Sequence, residues 1–397
     1  MPVVDLFCGC GGLSKGFERA GFDIVAAFDG WPSALTCYNA NFEHEAQQMD
    51  LNNVNHAVDV IAELHPTIII GGPPCQEFSN AGRREEGQRA DLTLRYAEII
   101  TQVLPDYFVM ENVPRVQTSN AYASARALYI QNGYGLTEVV LDASKCGVPQ
   151  NRTRFFCIGA LNAPDNFLME RIFENHIGSP LSVAEYFANN QIPLDIQAYY
   201  RHPTTYSRRG VFGVDEVAPT VRGVNRPRPA TYNLHPNDAV AEEELQNVTK
   251  LTLRQRATIQ SFPEDFVFEG LGIAQCDLEQ MVGNAVPVLL AEFVANRLRE
   301  YIEDVRVRGG HANMDERMAF SEWLRTEKGY SDRSISDVFS RLNRAAGILQ
   351  DHEMDRYYIV DLEEEPRYQE LRPTVKSQIR KAINLKLAFL RHVNANE

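Results

Sequence analysis

The sequence predicts an α/β fold, in which a doubly wound, mostly parallel sheet is joined to a smaller lobe and a helical C-terminal extension. Short apolar, β-branched runs alternate with segments of helical spacing between residues 3 and 110. This alternation is typical of parallel strands with helices on both faces of the sheet. Turn-forming segments rich in glycine or proline end several of the runs. At 397 residues, the chain is too long for one compact core.

The first predicted unit is a strand over residues 3–7, a helix over 13–20 and a second strand over 22–28 that ends at Asp29. The turn after the first strand is Cys8-Gly9-Cys10-Gly11-Gly12. Glycines let the backbone approach a ligand closely, and an acidic side chain can bind ribose hydroxyls. The GxGG spacing differs from the GxGxxG of dinucleotide sites. It favours a single-nucleoside cofactor such as S-adenosylmethionine, the alternative being a tight turn between packed elements.

Two further strands are predicted to end at the same edge of the sheet. Residues 67–70 form an apolar run closed by Gly71-Gly72-Pro73-Pro74, and Cys75 follows directly. A helix over 94–104 leads to a strand over 107–110, which ends at Glu111. Open α/β sheets bind ligands at the carboxyl ends of their strands. Cys75 is therefore a candidate nucleophile, although a small buried cysteine is an equally ordinary structural element.

Composition restricts the class of protein. No apolar stretch approaches the roughly 20 residues needed to cross a bilayer. The seven cysteines are odd in number and scattered, without a CxxC pair or a zinc-like cluster, so we expect reduced thiols, a cytoplasmic protein and no metal site.

The net charge of −14 argues against a nucleic-acid partner, but one segment is locally basic. Between Tyr199 and Tyr232 the chain carries six arginines against two acidic residues, interleaved with tyrosine, histidine and asparagine. Arginine with aromatic and amide side chains suits phosphate binding and the reading of base edges; the alternative is a solvated basic loop. The arginines are Arg201, Arg208, Arg209, Arg222, Arg226 and Arg228.

Six short motifs follow one another along the chain: Asp5-Leu6-Phe7-Cys8-Gly9-Cys10-Gly11-Gly12, Gly72-Pro73-Pro74-Cys75-Gln76, Glu111-Asn112-Val113, Gln150-Asn151-Arg152-Thr153-Arg154, Arg254-Gln255-Arg256-Ala257-Thr258-Ile259-Gln260-Ser261-Phe262-Pro263 and Gly283-Asn284-Ala285-Val286-Pro287. In this order they resemble the motifs of DNA cytosine-5 methyltransferases of bacterial restriction–modification type. Each motif alone could arise by chance, whereas the ordered set covers three quarters of the chain.

The resemblance implies a catalytic mechanism. Cys75 would add to C6 of cytosine and so make C5 nucleophilic. Glu111 would bind N3, while Arg152 and Arg154 would hold the base carbonyl and orient the active-site loop.

The resemblance also implies the fold of S-adenosylmethionine-dependent methyltransferases, with that molecule as the cofactor. The expected cofactor-binding residues are Asp5, Phe7, Gly9, Gly11, Gly12, Asp29, Asp50, Leu51, Pro73, Asn284 and Ala285. The expected DNA-binding residues are Gln76, Ser79 and the six arginines of the basic segment.

Four regions are expected: a catalytic and cofactor-binding domain over residues 1–160, a target-recognition domain over 161–275, a helix over 276–305 that returns to the catalytic domain, and a helical extension over 306–397. For the extension the sequence leaves three roles open: DNA contact, a partner or dimer surface, and a packing appendage.

The expected function is methylation of cytosine C5 within a specific short duplex DNA sequence, after the base rotates out of the stack. We expect a monomer on DNA, in the cytoplasm of a bacterium or phage and away from membranes. It would protect host DNA from a cognate restriction endonuclease, which would be a genetic companion and not a bound partner. The alternatives are a transfer-RNA cytosine-5 methyltransferase, disfavoured by the large basic lobe, and a DNA-binding regulator, disfavoured by the retained Cys75, Glu111, Arg152 and Arg154.

Overall fold

The computed structural model describes residues 1–74, 92–175, 179–205, 208–308, 313–349, 354 and 357–394. Each strand predicted in the first half of the chain is present in the structure. The structure adds further elements there, over residues 32–39, 46–48, 120–131 and 134–142, which the sequence did not reveal. The strands are β1 (Pro2–Leu6), β2 (Asp23–Asp29), β3 (Ala46–Gln48), β4 (Ile68–Gly71), β5 (Tyr107–Asn112), β6 (Tyr134–Asp142), β7 (Gln150–Asn151), β8 (Thr153–Leu161), β9 (Ala198–Tyr200), β10 (Val211–Gly213), β11 (Ala218–Pro219) and β12 (Thr249–Lys250).

The helices alternate with the strands as far as α5 and dominate the chain after α8. They are α1 (Gly12–Arg19), α2 (Pro32–Asn39), α3 (Val54–Glu63), α4 (Leu92–Val103), α5 (Asn120–Gln131), α6 (Met169–Glu174), α7 (Val183–Asn189), α8 (Leu253–Ile259), α9 (Gln275–Asn284), α10 (Val288–Arg308), α11 (Asn313–Thr326), α12 (Asp332–Leu349), α13 (Tyr358–Glu364), α14 (Pro366–Gln369) and α15 (Pro373–Asn394).

The main sheet has the strand order β3-β2-β1-β4-β5-β8-β6 within the described residues. All its neighbouring pairs are parallel except those of β8, which runs antiparallel to β5 and β6. The doubly wound, mostly parallel sheet predicted from the sequence is therefore confirmed. Because parallel strands end at one edge, β1, β2, β4 and β5 deliver their final residues to the same side of the molecule.

Alternate residues of each strand face two separate apolar layers. Val3, Ile70 and Val109 pack with α1 and α10, whereas their neighbours Val4 and Ile69 pack with α3, α4 and α5. The period of two along each strand produces this division.

Helix α10 covers β1 by packing directly against α1. A Cβ atom on Gly16 would lie 2.3 Å from Ala291 Cβ and 2.6 Å from the backbone nitrogen of Glu292. Only glycine permits this backbone approach. The single helix predicted over 276–305 is in fact two helices, α9 and α10, since Ala285 is extended and Pro287 cannot donate a helical hydrogen bond.

The smaller lobe contains β9, β10, β12 and α7, and its apolar residues pack with α8, α9 and α2. The C-terminal extension, residues 306–397, is helical where it is described and has an apolar cluster of its own around Phe320, Leu342 and Ile383. The predicted domain boundaries remain predictions.

One stretch of the described chain, Gln275–Val305, has the length and hydropathy of a membrane span, and 67% of its most apolar window is buried inside the protein. Such burial is typical of a core helix.

We predict that Gly16→Ala lowers the free energy of unfolding by about 1–3 kcal/mol, because the new methyl group forces α1 and α10 apart. Gly347→Ala is the matched control, since a Cβ there meets Asn132 O at an ordinary 3.7 Å. It should stabilise α12 slightly. Urea unfolding of both variants checks this; equal stability of the two variants would contradict the close packing.

Candidate active site

A cleft of about 1070 Å³, here called the central cleft, opens where β1, β2, β4 and β5 end. The structure brings many of the residues singled out in the sequence to its wall. They are Phe7, Gly9, Gly12, Asp29, Asp50, Leu51, Pro73, Glu111, Arg154, Asn284 and Ala285.

The glycine turn is braced by Asp29. Gly9 N donates to Asp29 Oδ2 at 2.8 Å, and Trp31 N donates to Asp29 Oδ1 at 2.8 Å. Burial raises the pKa of Asp29, and these backbone hydrogen bonds oppose the rise. Each carboxylate oxygen keeps a second lone pair, so Asp29 can hold the turn and still accept a hydroxyl from a ligand.

The turn is also closed from behind by the loop between α9 and α10. A Cβ on Gly12 would lie 2.4 Å from Val286 O, so this position admits only glycine. Gly11 has a φ of 95°, in the left-handed region that favours glycine. The sequence motif GxGG therefore reflects two constraints, a backbone conformation and a close approach.

Glu111 and Arg154 form an ion pair at the opposite side of the central cleft. Arg154 Nε lies 2.9 Å from Glu111 Oε1, and both side chains are largely buried. Burial raises the pKa of Glu111, although Arg154 and Arg152 lower it. Glu111 Oε1 receives no hydrogen bond with good geometry within the described residues. An oxygen in this state can accept or share a proton with a ligand.

The segment after β4 is held against the same strand end. Asn112 Nδ2 donates to Pro73 O at 2.9 Å. A Cβ on Gly72 would lie 3.2 Å from Glu111 Oε2. The predicted nucleophile Cys75 and the predicted DNA contacts Gln76 and Ser79 lie outside the described residues, immediately beyond this anchored segment.

Arg152 does not line the central cleft and is 1% exposed. Its guanidinium donates to four backbone carbonyls, which belong to Val221, Gly283, Asn284 and Ala285. In this arrangement the chain itself uses both Nη groups of Arg152, whereas its Nε has no hydrogen-bond partner within the described residues. Spacing in the sequence could not reveal this, because it does not show that Arg152 lies between β7 and β8 whereas Arg154 lies within β8. The expectation that Arg152 holds a base carbonyl stays a prediction.

Asp5 is fully buried and lies behind the glycine turn. Ser14 Oγ donates to Asp5 Oδ2 at 2.6 Å, and Tyr38 Oη donates to Ser14 Oγ at 2.8 Å. His44 Nε2 lies 2.7 Å from Tyr38 Oη, so the chain of hydrogen bonds extends to a half-buried histidine between α2 and β3. Burial raises the pKa of Asp5 to about 8. Burial therefore favours the protonated form of Asp5. Asp5 does not line the central cleft, and its expected part in cofactor binding stays a prediction.

The sequence analysis missed several residues of the central cleft. Trp31, Asn112 and Gln280 line it. Trp31 could have been found, since it follows the acidic residue at the end of β2, where ligands lie. Gln280 could not, because α9 reaches the cleft only through the tertiary fold.

The arginines of the basic segment differ in their surroundings. Arg201 donates to Thr220 O, and Arg209 forms a two-point ion pair with Glu216. Arg222 donates to His202 O and is partly buried. Arg208 and Arg226 are exposed, and Arg228 is half-buried.

Known proteins resemble the chain over the same region. The family model of C-5 cytosine-specific DNA methylase matches residues 1–300. Type II methyltransferase M.HindV of Haemophilus influenzae is 48% identical over 299 residues, which are 75% of this chain and 96% of that protein. Type II methyltransferase M.HgiDI of Herpetosiphon aurantiacus is 46% identical over 309 residues, 78% of this chain and 97% of that protein.

Solved structures share the fold. A putative DNA modification methyltransferase of an E. coli prophage superposes with a TM-score of 0.57 at 22% identity, covering 76% of this chain and 99% of that one. The Entamoeba histolytica methyltransferase EhMeth gives a TM-score of 0.56 at 21% identity, covering 77% of this chain and 98% of that one.

We predict that Asp5→Asn flattens the pH dependence of stability. The Asp5 carboxyl keeps its proton in the folded state up to a pKa of about 8, against 3.8 without burial. The contribution of this raised pKa to the free energy of unfolding is therefore complete below pH 3.8. It is lost as the pH rises to about 8, by up to about 1.4 kcal/mol per pH unit. Urea unfolding between pH 5 and 8 measures the slope, with Asp59→Asn at an exposed position of α3 as control. An unchanged slope in Asp5→Asn would mean that Asp5 is ionised in the folded protein.

Proposed function

The chain belongs to the C-5 cytosine-specific DNA methylase family, and we propose that it methylates cytosine within a short duplex sequence through a covalent adduct between Cys75 and C6. The enzyme is a DNA cytosine-5 methyltransferase. We propose in addition that it acts on a specific short sequence, that the target base rotates out of the duplex, and that Cys75 forms a covalent adduct with it. The observation that carries them is the buried Glu111–Arg154 pair beside the segment that leads into Cys75.

In the proposed mechanism, the thiolate of Cys75 adds to C6 and electron density moves toward N3 of the base. Glu111 is suited to stabilise that density, because its raised pKa favours a proton shared with N3. Arg154 keeps the carboxyl in place and provides positive charge at the base. C5 then accepts the methyl group. A base removes the C5 proton, and the C6–sulfur bond breaks, so that the C5–C6 double bond is restored and the thiolate of Cys75 is released.

S-adenosylmethionine is the proposed methyl donor, and it supplies an electrophilic methyl group when bound. The residues present fit such a molecule. Gly9, Cys10 and Gly12 line the central cleft, a Cβ on Gly9 would meet no atom within 4 Å, and Asp29 offers free lone pairs beside this backbone. Asp50 and Leu51 line the same wall of the central cleft.

A base within a duplex cannot reach these groups, so the target must leave the stack. Arg208, Arg226 and Arg228 are the members of the basic segment best placed by exposure to bind DNA. Arg201 and Arg209 bind within the lobe and would act by holding its shape. A cytoplasmic location and protection against a restriction endonuclease are part of the proposal, since relatives of this chain are named Type II methyltransferases.

We predict that Cys75→Ser reduces methyl transfer at least about 100-fold, because a serine hydroxyl is a poor nucleophile at neutral pH. Tritiated S-adenosylmethionine and mixed-sequence duplex DNA provide the assay, and bisulfite sequencing of the parent's product locates the target. Cys276→Ser, at an exposed cysteine of α9, is the matched control and should keep full activity. Activity above about one per cent in Cys75→Ser would require a different nucleophile.

We predict that Arg226→Ala and Arg228→Ala weaken DNA binding and reduce the slope of log affinity against log salt by about one each. Arg209→Ala should instead lower thermal stability, because it leaves Glu216 without its partner. Fluorescence anisotropy and thermal melting separate the two effects. A larger loss of DNA affinity in Arg209→Ala than in Arg226→Ala would refute this division of roles.

A further inference from the structure

The C-terminal extension lies beyond the region matched by the family model, which ends at residue 300. It is fixed to the layer of α3, α4 and α5. Asp337 of α12 pairs with His65 at 2.6 Å, and Arg372 donates to Asn55 of α3 at 2.6 Å. Gly347 of α12 packs on the backbone of Asn132. The extension therefore has a defined orientation on the catalytic body.

An open groove of about 530 Å³ runs along α15 on this extension; we call it the α15 groove. Ser377, Arg380, Lys381 and Asn384 line it, together with Lys328, which follows α11. The spacing of the four α15 residues places them on one helical face. The groove therefore presents a row of hydrogen-bond donors with positive charge.

The charge of α15 contrasts with that of the whole chain. The helix has five lysines and arginines and no acidic residue between Pro373 and Asn394, in a chain of net charge −14. Arg380 pairs with Glu363 at 3.0 Å, with both side chains half-exposed. Lys328 lies over the Trp323 ring, 4.7 Å from its centre, and no salt bridge to Lys328 or Lys381 occurs within the described residues. The two ammonium groups keep an unneutralised charge that an anion can bind.

We propose that the α15 groove binds the sugar–phosphate backbone of duplex DNA, as a second contact apart from the central cleft. Phosphates accept hydrogen bonds from lysine, arginine, serine and asparagine side chains without regard to sequence. This inference rests on the proposed function, in which duplex DNA is the substrate of this DNA methylase. Lysine acts as a point charge, so the groove adds affinity and not base recognition.

The experiment compares the full-length parent with Lys328→Glu/Lys381→Glu on a mixed-sequence duplex of about 40 bp, over a series of salt concentrations. We expect an affinity loss of about tenfold at low salt and a slope in log salt that is shallower by about two. Arg367→Glu is the matched control, since it reverses an exposed charge of the extension that does not line the groove. It should change neither value. Lys381→Glu alone should give about half the change in slope if the double variant fails to fold.

An affinity and salt slope equal to those of the parent would overturn the proposal. Labelled poly-glutamate tests the competing occupant, an acidic protein segment. That occupant is indicated if poly-glutamate binds the parent and fails to bind the double variant, while the DNA affinity of the double variant equals that of the parent. Methyl transfer is measured in parallel. A parent that binds DNA through the groove but transfers no methyl group would contradict the proposed function and leave this inference intact.

Discussion

The fold of this protein depends on two buried polar side chains, Gln150 and Arg152, that join its lobes. Gln150 Nε2 donates to Gln260 Oε1 at 2.7 Å, and Gln150 Oε1 accepts from Val221 N at 2.8 Å. Arg152 binds the carbonyls at the carboxyl end of α9, where the helix dipole is negative and the last carbonyls lack helical partners. A buried guanidinium is costly unless its donors are used. Here backbone carbonyls accept from both Nη groups, and Nε alone has no hydrogen-bond partner within the described residues.

Arg152, and Gln150 through its partner Gln260, connect the smaller lobe to the glycine turn. Arg152 and Gln260 both donate to Ala285 O, and the next carbonyl, that of Val286, lies where a Cβ on Gly12 would be. Val221 belongs to the segment that carries Arg222, Arg226 and Arg228. A shift of the basic segment must therefore displace the wall of the central cleft, because hydrogen bonds between buried groups join them.

Local patterns in the sequence predicted the strands and turns that depend on neighbouring residues alone. The β-branched runs gave β1, β4 and β5, and the glycine turn and Asp29 lie together as expected. The break between α9 and α10 was missed although Pro287 marks it. Sequence spacing did not show that Arg152 is buried away from the cleft that Arg154 lines, or that Arg209 is paired whereas Arg226 is exposed. The partner of a guanidinium is set by residues far away in the chain. The position of Gln280 at the central cleft was also hidden, because α9 reaches the cleft only through the tertiary fold.

The packing of Gly16 against Ala291 has a consequence for synthesis of the protein on the ribosome. Strand β1 and helix α1 leave the ribosome before α10, which covers them and follows only after some 270 residues. One apolar face of β1 stays exposed while the residues before α10 are synthesised, since contacts so distant in sequence form late. The nascent chain thus has a long period in which it can aggregate or bind chaperones, and completion of α10 closes that period.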